Sequence, residues 1–164
     1  MSAFHDFAQV LYDSGFGTAL RESQYAFPLV EGTHLLSLAF SVGLLALIDL
    51  RLTGLFLRRV PAAEILTQLR PWVLGGFAVT FLSGSLLFWA TSIKVLDSPV
   101  LPVKFLFILL SGLNFLWFEF KFGSKTGEWK KEPALPGGVR FAGAASLLLW
   151  SLVVLSGRLI PYLG

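Results

Sequence analysis

The residues best suited to chemistry lie inside long apolar segments, where polar side chains are costly. Glu31 and His34 are three positions apart in the first such segment, and a helix would place them about 60° apart on one face. An imidazole beside a carboxylate can exchange a proton or ligate a metal. Because ionisable residues within membrane spans usually mark functional sites, this pair is the first candidate.

Two cations are placed to join this pair. Lys104 begins the third apolar segment and Arg158 lies near the end of the fourth. If the segments alternate in direction, both lie at the same side of the membrane as Glu31. We predict that Glu31, His34, Lys104 and Arg158 form an outer polar cluster that binds a small ligand, a lipid headgroup or a partner. The alternative is a structural network in which the charges neutralise one another.

A second set of polar residues lies nearer the opposite side. Asp49 falls about 60° from His34 on the same helix, and we predict an inner polar layer of Asp49, Arg51 and Arg140. Arg70, Glu119 and Lys121 lie at the same depth. Asn114 lies between the two layers, and Trp150 is interpreted as a packing or cofactor-wall residue. Glu119 falls about 140° from Asn114 on the third segment, outside the polar face of that segment.

The residue inventory limits the metal sites. The chain has no cysteine, which excludes thiolate metal sites and iron–sulfur clusters, and its only histidines are His5 and His34. Glu31-x-x-His34 has the spacing found twice in di-iron bundles, but it occurs once here. His34 remains the candidate axial ligand of a b-type haem. Such a site would need His34 alone, His5 folding back, or His34 of a second protomer.

Four apolar runs must position these residues. They cover residues 27–56, 71–93, 103–120 and 141–163, and each is long enough to cross a hydrocarbon core about 30 Å thick. The composition agrees, since 55% of residues are hydrophobic and only 14% are charged. We predict an all-α, polytopic membrane four-helix bundle that forms a single domain over residues 1–164.

An amphipathic segment precedes the spans. Within residues 1–26, Phe4, Phe7, Ala8 and Leu11 recur at helical spacing, while Asp6 and other polar residues take the opposite face. This pattern predicts an N-terminal interfacial helix that lies flat on the membrane.

The distribution of the basic residues predicts the orientation of the chain in the membrane. The net charge is +3, but the cations lie beside membrane segments rather than along a soluble face, so nucleic acid is not a predicted partner. Nine of the thirteen Lys and Arg residues lie between spans 1 and 2 or between spans 3 and 4. Because cytoplasmic loops are rich in Lys and Arg, both termini are predicted to be periplasmic.

Three short motifs are spread over the chain: Glu31-x-x-His34, Asp49-Leu50-Arg51-Leu52-x-Gly54, and Gly157-Arg158-x-Ile160. Through these motifs nearly the whole chain resembles a family of uncharacterised bacterial four-span inner-membrane proteins. The resemblance implies four helices and a bacterial inner membrane, and it implies no particular activity. Relatives place a histidine near the end of span 3, where this chain has Phe118 and Glu119. That departure counts against a two-histidine cofactor.

These observations favour a non-enzymatic binding or accessory subunit acting at the outer polar cluster. A b-type haem or quinone-reactive protein that uses His34 is the alternative, and a small-ion or proton transporter is the third interpretation. The lipid bilayer is the expected surrounding, and a homo-oligomer or a larger membrane complex is the expected type of assembly.

The charge distribution predicts the orientation. Reporters fused at residue 1 and at residue 164 should both read as periplasmic, and a reporter within residues 123–138 should read as cytoplasmic. A cytoplasmic signal from residue 164 would contradict this topology.

Overall fold

The computed structural model describes residues 3–130 and 135–163, and it is helical throughout apart from short turns. Four helices are long and apolar enough to cross a membrane: α3 (Ala26–Thr53), α4 (Ala62–Leu96), α5 (Val100–Phe122) and α6 (Gly137–Leu163). Two shorter helices precede them, α1 (Ala3–Asp13) and α2 (Gly15–Glu22). The predicted fold class, an all-α membrane bundle, is confirmed.

The outward faces of the long helices are apolar. Leu36 on α3, Leu82 on α4 and Leu148 on α6 are all exposed. Side chains of this type would form large apolar patches in water, whereas they are well solvated by lipid tails. The surface of the bundle therefore matches a lipid environment.

The turn between α3 and α4 is closed by backbone and side-chain hydrogen bonds. Gly54 has a φ of 76°, a left-handed conformation that glycine adopts without strain, and its N–H donates to Arg51 O at 3.1 Å. The buried Arg51 guanidinium donates to Val60 O at 2.6 Å. Helix α4 then begins at Ala62, well before the apolar run that starts at Pro71, because its first two turns are buried against the core.

The hydrophobic core lies at the end of the bundle that carries this turn and the α5–α6 connection, which we call the connector end. Residues of all four long helices meet there. Gly123–Lys130 forms a 3₁₀ helix rather than an irregular loop, and its Trp129 side chain is buried against Phe118. This packing closes the connector end.

The opposite end, which we call the α1 end, is covered by α1 and α2. Helix α4 departs from helical geometry at Thr91, and the N-terminal helices attach beside this position. Arg21 donates to Ala90 O and to Tyr12 O, both at 3.1 Å, and Trp89 donates to Ser14 Oγ at 2.9 Å. The predicted amphipathic helix is thus present and docked on α4.

The face of α1 predicted to be apolar is divided between two surroundings. Ala8 is buried, and its carbonyl oxygen accepts a hydrogen bond from Ser92 at 2.8 Å. Phe4 and Phe7 remain exposed. Helix α1 therefore uses one edge of its apolar face to bind α4 and leaves the other edge uncovered.

The four long helices are unevenly packed. Helix α3 packs along α4 and α6, and α5 packs along α6. Within residues 3–130 and 135–163, α4 and α5 have little direct backbone contact. The bundle therefore has an open seam between α4 and α5.

Close approach between α3 and α6 depends on Gly143. A Cβ atom at this position would lie 3.0 Å from both Asp49 O and Leu52 Cβ. We expect Gly143→Val to lower the free energy of unfolding by about 1–3 kcal/mol, because overpacking forces the helices apart. Gly43→Val is the matched control, since a Cβ there meets nothing within 4 Å. Unfolding in mixed micelles measures both, and equal stability of the two variants would contradict the close contact.

Candidate functional site

A cavity of about 310 Å³ lies behind the open seam, in the connector half of the bundle. All four long helices contribute to its wall. Leu74, Phe81 and Phe115 line the cavity and are also exposed at the bundle surface. The cavity therefore opens sideways, through the seam, toward the region that lipid would occupy.

Aromatic side chains form much of the wall. Phe77 and Trp150 stack with their ring centroids 4.4 Å apart, and Phe118 closes the connector side. Apolar walls with a few polar groups are typical of sites for small organic molecules.

Among the described residues of this wall, Asp49 is the most deeply buried ionisable one. It is only 4% exposed, and the Ser146 hydroxyl lies beside its carboxyl group. In the part of the chain that the structure describes, no Lys, Arg or His forms an ion pair with Asp49. A buried carboxyl group without a cationic partner is costly in a medium of low dielectric constant.

A salt bridge spans the seam. Arg70 of α4 pairs with Glu119 of α5, and both residues line the cavity. On a helical wheel Glu119 falls outside the polar face of α5, yet it lines the same cavity as Asn114 and Ser111. A helical wheel gives only the direction of the Cα–Cβ bond, whereas the Glu119 side chain is long enough to reach around the helix to a cation on its neighbour.

Two further polar residues of α5 line the cavity. Asn114 donates from its side-chain amide to Ala142 O on α6 at 3.0 Å. Ser111 donates to Phe107 O at 2.8 Å within its own helix. Asn114 therefore fixes the distance between α5 and α6 beside the cavity.

His34 lies in the other half of the bundle, against α4. Its Nδ1 is 3.0 Å from Thr80 O and 3.1 Å from Ser83 Oγ. The imidazole rests on the backbone at Gly84, where a Cβ would come within 2.9 Å of the ring. If Nδ1 donates its proton to the Thr80 carbonyl oxygen, Nε2 carries the free lone pair.

The predicted outer cluster is assembled only in part. Lys104 lies within electrostatic range of His34. Lys104 points to α6, with Nζ 3.3 Å from the Cβ position at Gly157. Glu31 is exposed, and so is Arg158, which donates to Tyr162 Oη at 3.1 Å on its own helix. The structure therefore turns His34 and Lys104 toward neighbouring helices and leaves Glu31 and Arg158 at the surface. The cavity includes none of the four.

The predicted inner layer is likewise divided. Asp49 lines the cavity together with Asn114 and Trp150. Arg51 and Arg140 instead bind backbone carbonyl groups near the end of α3, Arg51 at Val60 O and Arg140 at Thr53 O. These two arginines support the turn that follows α3.

A wider concavity of about 720 Å³ follows the outer surface between α3 and α4. Its wall contains small, aromatic and hydroxyl side chains, among them Gly75, Trp72 and Thr33, and none of the described residues that form it is charged. It is a shallow lipid-facing groove whose side-chain polar groups are hydroxyls and the Trp72 indole N–H.

Residues 10–163 match the model of a family of unknown function, DUF6644. The chain belongs to this family. No curated protein and no solved structure matches it. Membership in DUF6644 agrees with the predicted resemblance to an uncharacterised family of membrane proteins, whereas the bacterial source stays a prediction.

The geometry of this DUF6644 protein bears on the haem alternative. His5 lies 4.0 Å from Asp97, at the far end of α4. Asp97 follows Ser83, the neighbour of His34, by fourteen positions, or about 20 Å along a helix. His5 and His34 of one chain are therefore too far apart to ligate one haem. Among the described residues, no group of three or more His, Asp or Glu side chains is arranged to hold a metal ion.

Proposed function

We propose that this DUF6644 protein is a non-enzymatic membrane subunit that binds a lipid-soluble small molecule in the cavity behind the α4–α5 seam. The observation that carries the proposal is the combination of a sideways opening with the deeply buried carboxyl group of Asp49. A purely structural void in a membrane bundle would have no need for an ionisable residue in its wall.

The size and lining of the cavity support a small amphipathic ligand. Its volume of about 310 Å³ lies at the lower end of the range for small-molecule sites. The aromatic wall would hold the apolar part of the ligand, and the polar end would lie at Asp49 and Asn114. Entry through the seam would spare the ligand a passage through water.

The proposed site differs from the outer cluster favoured by the sequence. Glu31 and Arg158 are exposed, so they would meet headgroups at the membrane surface more readily than a ligand inside the bundle. We therefore assign Glu31 and Arg158 to interfacial anchoring. We assign ligand binding to Asp49, Asn114 and Trp150, which line the cavity.

The cavity can be tested by filling its entrance. Gly112 lines the cavity, and a Cβ there meets nothing within 4 Å, so Gly112→Phe should occupy the cavity without forcing the helices apart. The probe is 1,4-dibromobenzene, a neutral quencher of tryptophan fluorescence. The fluorescence of Trp150 is obtained by subtracting the fluorescence of the Trp150→Phe variant from that of the parent protein.

We expect saturable quenching of Trp150 in the parent, and a loss of at least fivefold in apparent affinity in Gly112→Phe. Gly43→Phe is the matched control, because Gly43 is exposed on α3, away from the cavity, and should leave the affinity unchanged. Quenching that never saturates, or that is the same in all three proteins, would contradict the proposed cavity.

His34 supports a second candidate, a redox subunit with a b-type haem or a quinone. The contacts of Nδ1 with Thr80 and Ser83 orient the ring, as they do for metal-bound or proton-accepting histidines. The visible absorption spectrum of the purified protein tests the haem. A Soret band that is lost in His34→Ala, while Ser85→Ala retains it, would support axial ligation. Ser85 is the matched control, because it is exposed on α4 and donates within its own helix to Phe81 O. A featureless spectrum after expression with added haem would remove the haem from this candidate.

A further inference from the structure

The charges in the cavity wall do not cancel. Arg70 and Glu119 form an ion pair, so their charges offset each other. Among the described residues of the wall, Asp49 is the one other ionisable residue. The ionised form of the wall therefore carries one net negative charge, located at the buried end of the cavity.

The hydrogen-bonding groups of the wall also favour a positively charged or hydrogen-bond-donating ligand. Asn114 and Ser111 already donate to backbone carbonyl oxygens, Ala142 O and Phe107 O. The Ser146 hydroxyl faces the Asp49 carboxyl group. What these residues leave for a ligand is mainly oxygen lone pairs, which accept hydrogen bonds or contact positive charge.

The aromatic wall is complementary to a cation as well. The faces of tryptophan and phenylalanine rings carry negative electrostatic potential and attract positive groups, most strongly away from water. Trp150 and Phe77 stack at one side of the cavity, and Phe115 and Phe118 line it from α5. A positive group near Asp49 would therefore meet aromatic rings and a carboxylate together.

We infer that the cavity selects lipophilic cations, in which an ammonium-type centre pairs with Asp49 and an apolar body lies against the aromatic wall. This inference rests on the proposed function, because it names the chemical class of the ligand of the same cavity. The ligand would supply the counter-charge that Asp49 does not have among the described residues, and so remove the cost of burying the carboxylate.

The test uses two probes of nearly the same shape. Benzyltrimethylammonium carries a fixed positive charge, and neopentylbenzene is its neutral isostere. Each is titrated as a competitor of dibromobenzene quenching at Trp150, in the parent protein, in Asp49→Asn and in Glu64→Gln. Glu64 is the matched control, because it is an exposed carboxylate at the start of α4, outside the cavity wall.

We expect Asp49→Asn to raise the concentration of benzyltrimethylammonium needed for half displacement by at least tenfold. The value for neopentylbenzene should stay within twofold, which also shows that the variant is folded and its cavity intact. Glu64→Gln should change neither value. Comparing each probe across variants cancels the difference in how the two probes partition into micelles.

The outcomes separate the two proposals. If dibromobenzene quenching saturates but Asp49→Asn leaves displacement by the cation unchanged, the cation selectivity is overturned and the cavity stands. If both probes lose affinity equally in Asp49→Asn, Asp49 shapes the cavity without selecting charge, and the selectivity is again overturned. If dibromobenzene quenching does not saturate in the parent, the proposed cavity itself fails.

Discussion

The close contact between α3 and α6 determines how the four long helices are arranged. Gly143 lets α6 approach the α3 backbone at Asp49 and Leu52, while α3 also packs along α4. Both α4 and α6 therefore pack against α3. Because α5 packs on α6, it lies at a distance from α4. The open seam, the cavity behind it and the burial of Asp49 all follow from this one-sided packing.

The sequence predicts the fold well because membrane helices are specified locally. Twenty apolar residues must form a helix in lipid, since every backbone N–H and C=O needs an internal partner. The long helices and α1 therefore follow from composition and periodicity. Helix α2 and the 3₁₀ segment do not, because they depend on contacts such as Ser14 with Gly17 and Trp129 with Phe118.

The site could be predicted only in part. Asp49, Asn114 and Trp150 were recognisable as polar or amphipathic residues within apolar runs, and the cavity includes all three. That the three residues line one cavity was not predictable. A helical wheel describes one helix, whereas the cavity results from the spacing of four helices. The outer cluster illustrates the same limit, since Glu31 and His34 lie less than one helical turn apart and yet have different surroundings in the structure.

Helix α4 has 35 residues, which corresponds to about 52 Å along its axis, whereas the hydrocarbon core is only about 30 Å thick. The helix must tilt or project from the membrane, and its two ends would then lie among the headgroups or in water. The thickness of the bilayer would therefore affect the geometry of this protein. A thinner or thicker membrane would change the tilt of α4 relative to the shorter α5, and with it the width of the gap between them.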